Sequence, residues 1–378
     1  MQRMHQRGSS DTDQHSRDAA LALGLALPGD TLLYLILPMF APAFGVSLFE
    51  AGMLLAANRL VRIAGYGFVA RFYARHGDRL TCSCAIATAA LCALGYATLT
   101  GFAALLVVRL MWGLAFAALN LAAQAMATAQ QAGAAHRSGQ SRALTALGPM
   151  LALPLGAASA YWLGPKVFFF ALALVALAGL YFTLRLPAKP HDAPQAGLKL
   201  SKLPNSLDVW SLIEGLVLDG LFIVGLSYLA LGALPGNPVI VAGLLLASRY
   251  LAEILFGSAG GRIAERYGAE KMLLALSVFT AVALLAFGLG LLWMSALAIV
   301  LLRALMLPLP PALVALRTPG AGRIQALATR SVWRDIGAGI GPVLASALLP
   351  VAAPVWIYGV SALMLSLAAL TYYKQRVH

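Results

Sequence analysis

The segments AGMLLAANRLVRIAGYGFVARFYARHGDR (51–79) and AGLLLASRYLAEILFGSAGGRIAERYGAE (242–270) align when the chain is shifted by 191 residues. Matches of arginine, glycine and proline carry more information than matches of the apolar letters that fill the chain. Shifts of 193 and 189 extend the alignment on either side. Because the shift is about half of the 378 residues, the sequence predicts an internal duplication. The informative pairs are Arg71 with Arg262, Arg75 with Arg266, Gly77 with Gly268, Gly148-Pro149 with Gly341-Pro342, and Asp30 with Asp219.

Hydrophobic residues make up 61% of the chain and charged residues only 11%, whereas soluble domains contain about 25% charged residues. A soluble fold cannot hide this much apolar surface, so we expect lipid to be the solvent. A membrane-spanning helix needs about 20 apolar residues. The sequence contains twelve such runs, which we call spans 1 to 12: 20–44, 49–72, 80–100, 102–127, 143–163, 166–186, 208–234, 239–263, 271–293, 295–317, 332–351 and 353–373.

The net charge of +13 reflects the membrane topology rather than a nucleic-acid partner. The connections after odd-numbered spans carry only Lys166, whereas those after even-numbered spans and the two tails carry most of the basic residues. This asymmetry follows the positive-inside rule. It predicts a multi-pass protein of the cell (inner or plasma) membrane, with the lipid bilayer as a partner and both termini in the cytoplasm.

Six spans fall in each half of the chain, which gives the two halves the same orientation in the membrane. Residues 1–18 are polar, and we expect a disordered cytoplasmic tail there. Residues 19–186 form the predicted N-terminal six-helix bundle, and 208–378 form the C-terminal bundle with a short cytoplasmic tail. The intervening segment 187–207 is rich in proline and lysine and predicts a cytoplasmic linker.

Two loops carry a recognisable motif. GRIAERYGAEK (261–271) and ARFYARHGDR (70–79) resemble the G-x-x-x-D-R-x-G-R-K loop motif of the major facilitator superfamily, although the first copy has lost the initial glycine and the acid. RLMWG (109–113) is similar to the R-x-x-x-G motif of span 4 in that family. The resemblance covers the whole chain. It implies an all-α membrane protein with twelve transmembrane helices in two pseudo-twofold-related six-helix bundles.

In the resembled family the loop motif latches the two halves on the cytoplasmic side. The first loop here is mainly basic, so we expect it to face Asp335 in span 11, which supplies the lost acid. The second loop keeps Glu265, which we expect to face Arg142. An alternative is that Asp335 pairs with its neighbour Arg334. The predicted latch residues are Arg71, Arg75, Arg79, Asp335, Arg142, Gly261, Glu265, Arg266, Gly268 and Lys271.

Charged residues inside the spans are candidates for coupling transport to the movement of protons. A charge at the bilayer centre costs about 2.5–3.5 kcal/mol on insertion scales, and such residues pair or line a water-filled cavity. Asp30 lies halfway along span 1, directly after a Pro28-Gly29 pair that predicts a bend. Pro308, Pro310 and Pro311 predict a similar break in span 10 after Arg303. Burial raises a carboxyl pKa and a nearby arginine lowers it. We therefore expect Asp30 either to be locked in an ion pair or to titrate and couple transport to protons, with Arg109 or Arg59 as its partner.

Other residues complete the candidate site. Asp219 and Glu214 are further candidates for proton coupling. The predicted charge partners are Arg59, Arg62, Arg109, Arg249, Glu253 and Arg303, and Arg249 and Glu253 are spaced to pair along one helix. The candidate residues of the substrate cavity are Tyr34, Asn58, Trp112, Asn120, Gln124, Asp219 and Tyr250.

The sequence thus predicts a secondary active transporter rather than an enzyme, because no catalytic motif is present. We expect proton-coupled export of a small organic molecule by alternating access, similar to drug:proton antiporters. GPMLALPLG (148–156) resembles part of an antiporter motif, and the chain also faintly resembles siderophore exporters. One alternative is an importer or facilitator of a small anionic or zwitterionic solute. Another is a membrane sensor that binds a solute without transporting it. We expect a monomer without metal or cofactor, with the proton gradient as the driving force.

Overall fold

The computed structural model describes residues 2–188, 203–229, 237–320 and 322–375. This part of the chain is helical throughout and contains no β-strand. Its first half consists of α1 (Gln2–Ala26), α2 (Pro28–Met39), a 3-10 turn (Ala41–Phe44), α3 (Leu48–Thr98), α4 (Phe102–Ala127), α5 (Ala134–Trp162) and α6 (Phe168–Thr183). Its second half consists of α7 (Ser206–Glu214), a π-helical segment (Gly215–Leu221), α8 (Phe222–Leu229), α9 (Pro238–Tyr267), α10 (Ala269–Gly288), α11 (Leu292–Met306), α12 (Leu309–Arg317), α13 (Gly322–Leu348) and α14 (Pro354–Lys374).

These helices form the twelve predicted spans. Within the described residues, nine helical stretches are long and apolar enough to cross a membrane. One of them, α3, contains spans 2 and 3, which turn at Gly77 (φ 76°). The shorter α6 and the more polar α13 supply spans 6 and 11. The mate of Gly77 in the repeat, Gly268, also has a positive φ (91°) between α9 and α10. Glycine is the residue that adopts this conformation without strain, so both copies of the loop motif need it at the turn.

Three spans are irregular near charged residues. Span 1 breaks at Leu27, between α1 and α2, directly before the Pro28-Gly29-Asp30 sequence. Span 7 is π-helical over Gly215–Leu221, the segment that carries Asp219. Span 10 is interrupted between the end of α11 at Met306 and the start of α12 at Leu309, and Pro308 lies in this interruption. The bends predicted from proline in spans 1 and 10 are thus present, whereas no proline predicted the π-helical segment of span 7.

The N-terminal segment differs from the prediction of a disordered tail over 1–18, because α1 begins at Gln2. Three tertiary contacts explain the difference. Asp13 lies 3.7 Å from Arg137, Asp18 lies 3.6 Å from Arg185, and Thr12 accepts a hydrogen bond from Gln130. Composition alone did not predict these partners, which hold the polar helix against the ends of α4, α5 and α6.

The two halves pack most closely where α5 of the first half meets α9 of the second. A Cβ atom at Gly139 would lie 2.2 Å from the carbonyl oxygen of Gly257, and one at Gly261 would lie 2.2 Å from that of Ala135. Small residues allow helix backbones to approach in membrane proteins. The motif glycine Gly261 therefore serves the contact between the halves as well as the loop.

The halves also touch at the side of the molecule that carries both chain ends, which we call the terminal side. Gln131 donates to the carbonyl oxygen of Ala315 at 3.2 Å, and Arg323 donates to that of Ala129 at 2.9 Å. Each bond joins the loop between α4 and α5 to the α12–α13 region. The two halves are therefore closed on the terminal side. The predicted linker 187–207 lies largely outside the described residues, and the predicted bundle boundaries remain predictions.

Candidate functional site

The first charged cluster joins α2, α3 and α4. Arg109 is fully buried and donates through Nη1 to Oδ1 of Asp30, which is 7% exposed. The guanidinium also donates through Nε to the carbonyl oxygen of Leu54 at 3.1 Å. Asn58 donates to the same Asp30 oxygen at 3.3 Å. Of the two predicted partners of Asp30, the structure selects Arg109.

Local sequence explains how this cluster forms. The break at Leu27 lets α2 start afresh with Asp30 in its first turn. In α4, Gly113 lies one turn after Arg109 and faces α3, where a Cβ atom would come within 2.9 Å of the carbonyl oxygen of Asn58. The R-x-x-x-G motif therefore combines a charge with a close helix approach. Tyr34 covers the cluster with its ring centre 5.2 Å from the Arg109 guanidinium carbon.

The second cluster is centred on Asp219 in the π-helical segment. Arg303 of α11 donates to Oδ1 of Asp219, and Arg334 of α13 donates to Oδ2. Arg249 of α9 lies 3.7 Å from Oδ1. Asp219 thus faces three guanidinium groups from three different helices.

Two further carboxylates extend the second cluster. Glu214 accepts from Nε of Arg334 at 3.1 Å and lies 3.8 Å from Arg303. Glu253 lies 3.6 Å from Arg303 and 3.5 Å from Arg249, which confirms the contact predicted from the i,i+4 spacing. Within the described residues, the cluster joins three carboxylates to three arginines. The six residues of the cluster belong to spans 7, 8, 10 and 11.

The acid in span 11 does not pair as the predicted latch required. Asp335 lies 3.2 Å from Arg62 of α3, rather than against the basic loop or Arg334. Arg62 also lies 4.6 Å from the ring centre of Phe116. The prediction failed because Asp335 lies deeper than the loop, at the level of a basic residue within span 2. The loop arginines instead contact backbone, with Arg71 donating to Gly67 and Arg79 to Leu186.

The second half of the predicted latch is also different. Glu265 accepts a hydrogen bond from the backbone N–H of His136 at 2.9 Å, and not from Arg142. His136 belongs to the first turn of α5, where backbone N–H groups lack helical acceptors and attract a carboxylate. Arg142 lies further along α5, beyond the reach of Glu265. The other motif side chains, Arg75, Arg266 and Lys271, are exposed.

The candidate cavity residues separate into several environments. Asn120 and Gln124 line a water-sized cavity between the halves. Tyr34 and Asn58 belong to the first cluster, and the Tyr250 ring lies 5.6 Å from the Arg249 guanidinium carbon. Trp112 is 2% exposed and packs against Phe116. Arg59 is half-buried and forms no ion pair with the described residues.

Sequence reasoning omitted two residues that the structure brings into the site. Arg334 was considered only as a neighbour of Asp335, yet it bridges Glu214 and Asp219. Arg330 was not considered for the site, and it donates to Gln124 across the interface between the halves at 2.8 Å. A signal existed, because residues four apart share a helix face. Two arginines one turn apart, one just before span 11 and one within it, therefore predict a basic stripe.

The fold and the two charged clusters together indicate a class of membrane protein. Two groups of six helical spans, with paired charges buried within and between them, are typical of a membrane transporter. The sequence matches the model of the Major Facilitator Superfamily over residues 19–237 and 215–378, so the chain belongs to that superfamily and is a multi-pass membrane transporter of small molecules. A search of curated protein sequences gives no match.

Solved structures confirm the fold. The human organic anion transporter MFSD10 (TETRAN) is 18% identical, with a TM-score of 0.79 over 96% of this chain and 99% of that one. The proton:xylose symporter XylE, bound to 6-bromo-6-deoxy-D-glucose, is 14% identical, with a TM-score of 0.77 over 97% and 96%. A bacterial homologue of the iron transporter ferroportin, in an outward-facing state, is 15% identical, with a TM-score of 0.73 over 96% and 100%.

Proposed function

We propose that the chain is a proton-coupled secondary transporter that exports a small organic molecule across the cell membrane by alternating access. The observation that carries the proposal is the contact between Asp30 and Arg109, deep in the first half and next to the break at Leu27. A carboxylate at this depth is costly unless it pairs, lines a cavity or exchanges protons.

The geometry supports a simple coupling step. In the conformation described, the guanidinium of Arg109 and the amide of Asn58 both donate to one oxygen of Asp30, which stabilises the carboxylate. Movement of α2 at its break would separate Asp30 from Arg109. Asp30 would then be buried without its positive partner, and because burial disfavours the charged form the carboxylate would bind a proton. Protonation on one side and release on the other would link the proton gradient to the conformational cycle.

The test uses full-length protein in liposomes that contain a pH-sensitive dye, with a panel of candidate organic solutes. Wild type is compared with Asp30→Asn, and Asp11→Asn serves as the matched control because it makes the same chemical change in an exposed side chain. We expect a transported solute to move protons through wild type and the control, but not through Asp30→Asn. Flux in vesicles of known orientation then tests the proposed direction, which rests on the Gly148–Gly156 segment. Proton movement through Asp30→Asn at the wild-type rate would contradict the proposal.

A second candidate is facilitated diffusion without protons. It is favoured by the observation that Asp30, Glu214, Asp219, Glu253 and Asp335 all contact arginine. If each carboxylate stays ionised throughout the cycle, the solute crosses without a pH change. The same liposome experiment separates the two functions, because solute flux would then be equal in wild type and Asp30→Asn and the dye would report no change.

A further inference from the structure

Two small spaces lie between the halves, beside the second cluster. Each has room for about one water molecule, and both are bordered by Arg142 of α5 and by Arg330 and Arg334 of α13. The first space is completed by Glu214 and by apolar side chains of the second half. The second space is completed mostly by polar groups of both halves. Arg142 and Arg330 each lie about two turns into a helix that begins on the terminal side, so the spaces belong to the boundary that is closed there.

The charge beside these spaces is unbalanced. The second cluster has three carboxylates for three arginines, so it provides no acid for a further cation. Asp335 is matched by Arg62. Among the described residues, Arg142 forms no ion pair or hydrogen bond, and Arg330, which is 3% exposed, donates only to the neutral amide of Gln124. Because a guanidinium group stays charged in a protein, two positive charges remain uncompensated.

Unpartnered polar atoms distinguish the two spaces. Nε of Arg330, Nε2 of Gln124 and Oδ2 of Asp335 are buried and have no partner among the described residues. The second space borders both the donor of Gln124 and the acceptor of Asp335, which suits a water molecule. The first space borders both uncompensated guanidinium groups, and its one carboxylate, Glu214, already contacts two arginines of the second cluster. Water supplies no charge, and a buried charge without a counter-charge is strongly unfavourable, so the first space suits an anion.

The size of the first space limits the anion. Room for about one water molecule excludes sulfate, phosphate and organic acids, and it accepts a monatomic anion such as chloride. We propose that a chloride ion binds in the first space, where it compensates one of the two positive charges and accepts charge-assisted hydrogen bonds from Arg142 and Arg330. The ion is distinct from the transported solute and from the proton.

The position of the ion gives it an effect on the transport cycle. Because Arg142 and Arg330 belong to different halves, a chloride ion between them joins the halves on the terminal side. Opening on that side separates the two arginines and divides the site. Chloride therefore binds the closed conformation more tightly and raises its population.

The test measures the unfolding temperature of the purified full chain in detergent as chloride replaces gluconate at constant ionic strength. Gluconate is the matched control ion, because it carries the same charge and is too large for the space. Arg142→Gln and Arg330→Gln remove one guanidinium each, and Arg17→Gln makes the same change at an exposed position. We expect chloride to stabilise wild type and Arg17→Gln with a saturable dependence on its concentration. Each variant of the site is expected to weaken chloride binding about ten- to hundredfold.

A reversal in the order of stability separates a lost site from a damaged fold. In gluconate, Arg142→Gln is expected to unfold at or above the wild-type temperature, because it removes an uncompensated cation. In saturating chloride, wild type is expected to unfold at the higher temperature. A variant that is less stable by the same amount in both media would overturn the proposal by showing a structural role. Equal unfolding temperatures of wild type in chloride and in gluconate would overturn it as well, since water alone would then fill both spaces.

Labelling of an introduced cysteine tests whether the ion joins the halves. Ser331 is 4% exposed and borders the second space, so a cysteine in its place is covered while the terminal side is closed. We expect chloride, compared with gluconate, to slow the reaction of Ser331→Cys with a water-soluble thiol reagent several-fold. Adding Arg142→Gln should abolish this difference, and the unsubstituted chain measures the reaction of the native cysteines. Equal labelling rates of Ser331→Cys in the two media would overturn the proposed junction between the halves.

Discussion

Asp30 and Asp219 occupy equivalent positions in the two halves, 189 residues apart, but their surroundings differ. Asp30 contacts one arginine, Arg109, whereas Asp219 contacts Arg249, Arg303 and Arg334. Arg303 lies 194 residues after Arg109, and each of these arginines of a fourth span contacts the acid of the first span in its own half. The shared element is therefore one acid–arginine contact between the first and fourth spans of each half.

Extra charged residues in the second half account for the difference. The mate of Asn58, which donates an amide to Asp30, is Arg249, which brings a positive charge to Asp219. Glu214 and Glu253 then restore balance. The first cluster is a minimal pair that loses its charge balance when one group changes. The second is a network in which each charge has more than one partner. The comparison suggests that the first half is the one suited to switching and the second to holding the helices together.

The largest expected effect comes from removing one arginine in each cluster. Arg109→Gln leaves Asp30 buried with only Asn58 as donor, and breaking a buried pair in this way costs about 3–5 kcal/mol. Arg249→Gln leaves Asp219 with two arginines, and we expect a loss of about 1 kcal/mol, since a partner that is 27% exposed contributes little. Thermal unfolding of the two variants in detergent measures the difference. Equal losses would show that the second cluster is not redundant.

A smaller effect is expected when the charges of the minimal pair are removed together. Asp30→Asn combined with Arg109→Gln leaves no uncompensated charge, so the double variant should recover about 1–3 kcal/mol relative to Arg109→Gln alone. Asp219→Asn combined with Arg249→Gln leaves Arg303 and Arg334 with fewer partners and should recover little. Unfolding of the single and double variants gives a coupling energy for each pair. A larger coupling energy for Asp219 and Arg249 would reverse the comparison.

Much of this arrangement was predictable from the sequence, because it depends on periodicity and spacing. Twelve apolar runs predict the spans, and the repeat predicts that Asp30 and Asp219 are equivalent. The R-x-x-x-G motif placed Arg109 in the span that faces Asp30. The proline positions predicted the breaks at Leu27 and after Met306. These features depend on local chemistry, which a single chain displays.

The failures concern side chains that reach across helices. The sequence placed Asp335 opposite the loop arginines, but the contact with Arg62 depends on the depth at which α3 and α13 cross. Arg334 belongs to the second cluster because α13 packs directly against the π-helical segment, where a Cβ at Gly215 would lie 2.4 Å from the Arg334 carbonyl oxygen. Helical order in residues 2–18 depends on tertiary partners such as Arg137. None of these distances is encoded in spacing along the chain.

The last of the expected effects tests why the first half holds a minimal pair. Gly113 lets α4 approach α3, whereas the residue four positions after Arg303 in the second half is Leu307, where span 10 is interrupted. A Cβ at Gly113 would lie 2.3 Å from a methyl group of Val61 and 2.9 Å from the Asn58 carbonyl oxygen. Gly113→Ala should therefore separate the helices and cost about 1–3 kcal/mol, while Asn58 moves away from Asp30.

The matched control for that substitution is Gly52→Ala in α3, where a Cβ meets nothing within 4 Å. In a helix interior, alanine is more favourable than glycine by about 0.5–1 kcal/mol, so the control should be neutral or more stable than wild type. If the close approach aligns Asn58 and Arg109 on Asp30, Gly113→Ala will also reduce proton coupling in liposomes. Gly52→Ala will leave it unchanged. Unimpaired stability and coupling in Gly113→Ala would mean that the pair forms without the close contact, and the geometry of the first half would then depend on the break at Leu27 alone.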